Sequence, residues 1–167
     1  MGNLQQGEID WSDLAYSNDP DDIERYKLFP GDVLFNRTNS AALVGKTAIY
    51  RGEYPAIYAG YLIKLDYDHD KIIGDYLNYA LNTLDAKKYC NSVKTDGVNQ
   101  SNINAKKIGA YSFNVPSIPE QEKIVSAIQK LLSKEQQTKE AAEIVLDQIE
   151  LMKKSILARA FRGELGT

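Results

Sequence analysis

A single cysteine, Cys90, and a single histidine, His69, leave this 167-residue chain unable to form an internal disulfide, a CxxC metal knuckle or a multi-histidine zinc site. Serine-based triad chemistry would rest on His69 alone. No run approaches the roughly 18 consecutive apolar residues that a membrane span requires. The start Met1-Gly2-Asn3-Leu4-Gln5-Gln6 lacks the basic and apolar regions of a secretory signal. A cytoplasmic protein without membrane contact is the expectation. There is also no G-x-G-x-x-G turn and no G-x-x-x-x-G-K-[ST] phosphate cradle, so nucleotide-dependent catalysis has no visible machinery.

The charge balance is nearly even, 20 Lys+Arg against 23 Asp+Glu, but it is unevenly distributed. Met1 to Phe35 holds 8 acids and 2 bases, giving −6, whereas Asn36 to Phe113 holds 10 bases and 7 acids, giving +3. The remainder, with 8 of each, is neutral. The middle segment is therefore the one whose charge suits phosphates.

Two kinds of sequence meet near Pro116. Before it, β-branched and aromatic runs bounded by turns read as strands: Val33-Leu34-Phe35, Thr47-Ala48-Ile49-Tyr50, Tyr61-Leu62-Ile63-Lys64-Leu65 and Tyr111-Ser112-Phe113-Asn114-Val115. Two helices interrupt them. Asn18-Asp19-Pro20-Asp21-Asp22 has a capping residue, a first-turn proline and early acids. Ile73, Tyr76, Leu77, Ala80, Leu81 and Leu84 mark one apolar helical face. The expected fold is α+β, a mixed globule over 1–116 followed by one long helix within 117–167.

Ser117-Ile118-Pro119-Glu120 fits a capping box. No glycine or proline follows until Gly163, so one helix of roughly 60 Å is expected from about Glu120 to Arg162. Its apolar residues Ile124, Ile128, Leu131, Ala142, Val145, Ile149, Met152 and Ile156 hold a single heptad register, broken only at Glu135 and Thr138. Such a seam asks for a partner helix, although docking on the chain's own globule would also use an apolar stripe.

Five ordered segments carry a family resemblance: Phe35-Asn36-Arg37-Thr38-Asn39-Ser40, Val44-Gly45-Lys46-Thr47-Ala48, Gly97-Val98-Asn99-Gln100-Ser101-Asn102-Ile103-Asn104, Pro116-Ser117-Ile118-Pro119-Glu120-Gln121 and Ser155-Ile156-Leu157-Ala158-Arg159-Ala160-Phe161-Arg162-Gly163-Glu164-Leu165. Together they resemble the specificity subunit of type I restriction-modification enzymes. In that family two target-recognition domains are separated by two long helices forming an antiparallel coiled coil, so the chain resembles half a subunit. Family domains usually begin a few tens of residues before the segment matching Gly2 to Asp10. The resemblance therefore implies a recognition domain truncated at its N-terminus.

The residues fit DNA recognition. Arg37 can bond guanine O6 and N7 bidentately or grip a phosphate, and Asn39 can pair with adenine, flanked by Thr38 and Ser40 in what reads as an exposed loop after a rigid strand. The same short polar residues also commonly bond their own backbone in turns. Lys46, after Gly45, could approach a phosphate or simply be solvated. Asn99, Gln100, Ser101 and Asn102 offer a second run of amides and hydroxyls, equally explicable as a polar surface loop; Lys106 and Lys107 add to the basic count. Tyr50, Tyr54, Tyr58 and Tyr61 read as core rather than stacking platforms. Asp66, Asp68 and Asp70 open like a calcium loop, but Lys71 replaces the sixth-position glycine, so a solvated turn is expected.

The resemblance implies a non-catalytic subunit that reads half of a split double-stranded DNA target. It implies no cofactor of its own. S-adenosylmethionine would belong to separate modification subunits that methylate adenine and dock on this scaffold, sometimes joined by a restriction subunit. Phe161 and Leu165 are candidates for that docking. No Asn-Pro-Pro-Tyr segment for a flipped adenine is present here. The seam would support a homodimer or pairing with another specificity subunit. The alternative is a truncated interaction protein that pairs through its helix and modulates assembly without binding DNA.

Overall fold

The structure, a computed structural model, describes residues 2–165, and it is an α+β protein with two compact units, 1–123 and 124–167. The first unit is built on an antiparallel sheet in the order β5-β3-β6, from β3 (Val33–Asn36), β5 (Thr47–Ile49) and β6 (Leu62–Leu65). Side chains alternate across a strand, so Val33 and Phe35 enter one core cluster and Leu34 enters another. Both faces of β3 are covered. That is why its sequence is a continuous apolar run rather than an alternation.

On one face, β3 packs with α2 (Gly74–Leu81) and α3 (Leu84–Val93) around Ile49, Leu77, Leu81, Cys90 and Ile103. On the other lie Leu4, Leu28, Ala48 and Tyr50, near the small pair β1 (Leu4–Gln5) and β2 (Glu8–Ile9). The β1–β2 turn is fastened by Asn78, fully buried on α2, whose Nδ2 donates to Gly7 O at 2.8 Å. α1 (Pro20–Tyr26) starts as its sequence demands: Asp19 Oδ1 accepts from Asp21 N at 2.9 Å. Tyr50 is buried, its hydroxyl donating to Tyr54 O at 2.6 Å, and Tyr58 meets Tyr26 edge-on. Tyr50 and Tyr58 therefore serve packing, whereas Tyr54, expected in the core, is 60% exposed and meets Trp11 edge-on at 5.3 Å. Asp68 accepts from Asp70 N at 3.1 Å and pairs with Lys71, as a solvated turn would.

Three expectations are corrected. The helical face drawn from Ile73 to Leu84 belongs to two helices, because Thr83 leaves the helical path and caps α3 with Oγ1 accepting from Ala86 N at 3.3 Å. Leu84 is consequently 79% exposed and off the core face. Tyr111 to Val115 is not a strand. It is irregular chain whose rings pack instead, Tyr111 lying 4.9 Å from Tyr89 and 5.8 Å from Phe113. The presumed loops at 38–40 and 99–102 contain short strands, described below.

α5 runs Ile118–Phe161, 44 residues, or about 66 Å at 1.5 Å per residue. Its capping box is half formed as expected. Glu120 Oε2 accepts from Ser117 N at 3.1 Å, but the serine hydroxyl donates to the same carboxylate at 2.6 Å rather than accepting a backbone amide. One turn on, Gln121 is completely buried and takes three hydrogen bonds with the backbone of the first unit. In the second unit Leu131, Ala142, Val145, Ile149, Met152 and Ile156 are all exposed, as are Ile124 at 40%, Phe161 and Leu165, while Ile128 is half-buried. No helix among the described residues is long and apolar enough to cross a membrane.

Candidate nucleic-acid interface

The two polar segments singled out in the sequence lie about 60 residues apart, and the fold brings them side by side. β4 (Thr38–Asn39) pairs antiparallel with β8 (Ser101–Asn102), which pairs in turn with β7 (Thr95–Asp96), giving the sheet order β4-β8-β7. The register aligns Thr38, Asn102 and Thr95 in one row, and Asn39, Ser101 and Asp96 in the next. Adjacent rows point to opposite sides of a sheet.

The two rows differ in accessibility. In the second, Asn39 is 9% and Ser101 2% exposed, while Asp96 at its β7 end is exposed. Asn39 Oδ1 accepts from Ser40 N at 2.8 Å, and the Ser101 hydroxyl donates to Asp96 Oδ1. Both side chains are occupied in holding the sheet. The first row is half-buried to exposed: Asn102 Nδ2 donates to Thr38 Oγ1 at 2.7 Å, and Lys107 Nζ donates to Thr95 Oγ1 at 2.7 Å. An amide, two hydroxyls and an ammonium thus line one accessible face, a combination able to bond base edges and phosphates. Thr95 escaped sequence reading because only the strand register places it there. Lys107 carried a weak signal, the Asn104 cap of α4 (Ala105–Gly109), whose Oδ1 accepts from Lys107 N at 2.9 Å.

Arg37 sits between β3 and β4, its backbone fixed on both sides: its N donates to Tyr61 O at 3.1 Å and its O accepts from Ile103 N at 2.9 Å. The guanidinium is half-buried and makes no ion pair or hydrogen bond among the described residues. A rigid backbone under an uncommitted guanidinium suits recognition of an anion or a guanine edge. Beside it, Asn36 is 1% exposed, and neither atom of its amide has a partner among the described residues. Ser40, Asn99 and Gln100 are exposed. Lys94 is largely buried, donating to Ala41 O at 3.1 Å with Asp96 at 3.8 Å, so it braces the loop after β4 against β7.

Lys46 lies outside this sheet, just before β5, with its Nζ donating to Gln5 Oε1 at 2.8 Å. The glycine preceding it serves packing. Gly45 has φ +87°, and a Cβ there would come within 2.9 Å of Cys90 Sγ. Its carbonyl accepts from Lys87 Nζ at 3.2 Å, and burial pushes the Lys87 amine below its ordinary pKa while raising that of the Cys90 thiol. Among the described residues no cluster of His, Cys, Asp or Glu is arranged to hold a metal ion.

The polar sheet face and the uncommitted Arg37 come from segments adjacent in the chain, and comparison with known proteins gives the family in which they occur. The family described as type I restriction modification DNA specificity domain matches residues 4–145, and the chain belongs to it. The StySPI type I restriction enzyme specificity subunit of Salmonella potsdam is 30% identical over 150 residues, 88% of this chain and 32% of that protein. The EcoKI type I restriction enzyme specificity subunit of Escherichia coli K12 is 27% identical over 170 aligned positions, 99% of this chain and 36% of that protein. The chain spans about a third of the length of these relatives.

Proposed function

We propose that the chain reads one half of a bipartite DNA target and, through α5, scaffolds the assembly that modifies it. The observation that carries this reading is the convergence of Thr38 and Asn102 on one accessible sheet row, next along the chain to Arg37, whose side chain makes no ion pair among the described residues. In this arrangement Arg37 bonds a guanine edge or a phosphate, Asn102 and Thr38 bond base edges, and Lys107 anchors a phosphate. Ser40, Asn99 and Gln100 surround them as further polar contacts. Asn39 and Ser101 hold the surface in shape from its buried side. Lys46, just before β5, contributes further positive charge.

The exposed seam of the second unit, from Ile124 to Ile156, pairs with the same helix of a second copy or of another specificity subunit. A rod of fixed length sets a fixed distance between half-sites. Two identical copies related by a twofold axis would read inverted half-sites. Modification subunits carrying S-adenosylmethionine and adenine-methylating chemistry dock on this scaffold, with Phe161 and Leu165 as contacts and a restriction subunit as a further partner. The chain itself supplies no catalysis.

Binding titrations over a range of salt concentrations, with and without the modification subunit, test the reading. Each phosphate neutralised contributes a slope of about −0.9 in log K against log salt, so a recognition surface of this kind gives a steeply negative line. Absence of binding under both conditions would instead identify an interaction protein that acts through α5 alone.

A further inference from the structure

The hairpin connecting β7 and β8 presents Val98 at its tip with 100% of its surface exposed. The tip is tightly defined. Asp96 and Ser101 are cross-strand partners joined by a side-chain hydrogen bond, and Gly97 N donates to Gln100 O at 2.7 Å, leaving Gly97, Val98, Asn99 and Gln100 as the exposed loop. Below it, Ile103 is fully buried and anchors the returning strand in the core.

Turns favour glycine, asparagine, aspartate and serine, each for a local backbone reason, and a β-branched valine offers none of them. Val98 also buries nothing. Its isopropyl group contributes to neither the turn nor the core and is open to a partner. Its neighbours suggest what that partner is. Asn99 and Gln100 bring two exposed amides to the same tip, and the outward row Thr95, Asn102 and Thr38 continues polar chemistry along one face of the ribbon. An A·T pair presents, on one edge of the major groove, the adenine N6 and N7 that pair with a carboxamide and the thymine methyl that accepts an apolar contact. The four-residue loop Gly97 to Gln100 projects beyond the three-stranded ladder, and its two chain segments, about 5 Å apart, fit that groove, which is roughly 12 Å wide.

We infer that the β7–β8 hairpin enters the major groove and that Val98 is a specificity-determining residue, packing on the 5-methyl group of a thymine while Asn99 or Gln100 bonds the adenine of the same or the adjoining pair. This inference rests on the DNA-reading role proposed above. It adds a residue and a base type to that role.

The test starts from duplexes that the full-length chain, with its modification subunit, selects from a random-sequence pool. Each thymine of the selected sequence is then replaced singly by deoxyuridine, which removes only the methyl group. One thymine per half-site is expected to lose about fourfold in affinity, the value of one buried methyl-sized group. Val98→Ser should bind the thymine and deoxyuridine duplexes alike at that position, and it should bind the deoxyuridine duplex as well as the parent protein does, which also shows that the variant is folded. If every thymine can be replaced without effect, or if Val98→Ser keeps the parent's discrimination, the role of Val98 is overturned while DNA reading stands. If no sequence is selected from the pool, DNA reading itself fails, and this inference fails with it.

Discussion

Gln121 Oε1 accepts a hydrogen bond from Ile73 N at 2.9 Å, tying the first turn of α5 to the residue that caps α2. Ile73 has no side chain able to cap, and Gln121, 48 residues away, instead takes the backbone N–H of Ile73 itself. Its Nε2 donates to Lys71 O and Pro116 O, both at 2.8 Å, so the carboxamide is fully used. Gln121→Ala should therefore lower unfolding stability by about 2 to 3 kcal/mol, since it strands buried backbone groups. Gln121→Glu should cost at least as much, because a carboxylate cannot donate to two carbonyls and would be buried. Urea denaturation of the two variants measures both effects.

The helix start should also respond to acid. The Ser117 hydroxyl and backbone amide bonded to Glu120 hold its carboxyl below the ordinary glutamate value. A lowered folded pKa means the contribution is present above the unfolded value and is lost as pH falls through the folded one. The amides of Ser117, Ile118, Glu120 and Gln121 should lose protection relative to the intrinsic exchange rate at each pH as pH is lowered through that window. In Glu120→Gln that dependence should flatten, as NMR of the backbone amides would show.

The long elements were legible in the sequence because periodicity repeats. α5, the strand runs of β3, β5 and β6, and the Asp19 cap all follow from local pattern. The missed features depend on partners remote in sequence. Whether Thr38 and Asn39 form a loop or a strand is settled by Ser101 and Asn102, and the same pairing turns Thr38 outward and Asn39 inward. Period-two alternation cannot be detected in a strand of two residues. Similarly, Gly45 looked like a means for Lys46 to approach phosphate, whereas its requirement comes from Cys90 in α3.

That inward and outward sorting separates two kinds of variant. Arg37→Ala should weaken specific DNA binding by about 1 to 3 kcal/mol if the guanidinium reads a base. An equal loss on specific and random DNA would reassign it to a phosphate. Asn39→Ala should instead reduce thermal stability, with binding loss that tracks the unfolded fraction, because its buried side chain supports the sheet rather than facing ligand. Fluorescence anisotropy alongside thermal melts distinguishes the two.

Ile149, 42% exposed in the single chain, sits within the seam. Ile149→Asp should place a charge inside the paired helices and shift sedimentation from dimer to monomer, leaving the melting of the first unit unchanged. A dimer that survives this change would place the contact on another face of α5.

Mapping the adenines methylated by a complex containing only this chain and its modification subunit tests the whole account most directly. Recognition by two identical domains on paired rods predicts two inverted copies of one half-site, separated by a constant spacer. An asymmetric bipartite site, a variable spacer or methylation without sequence preference would contradict it.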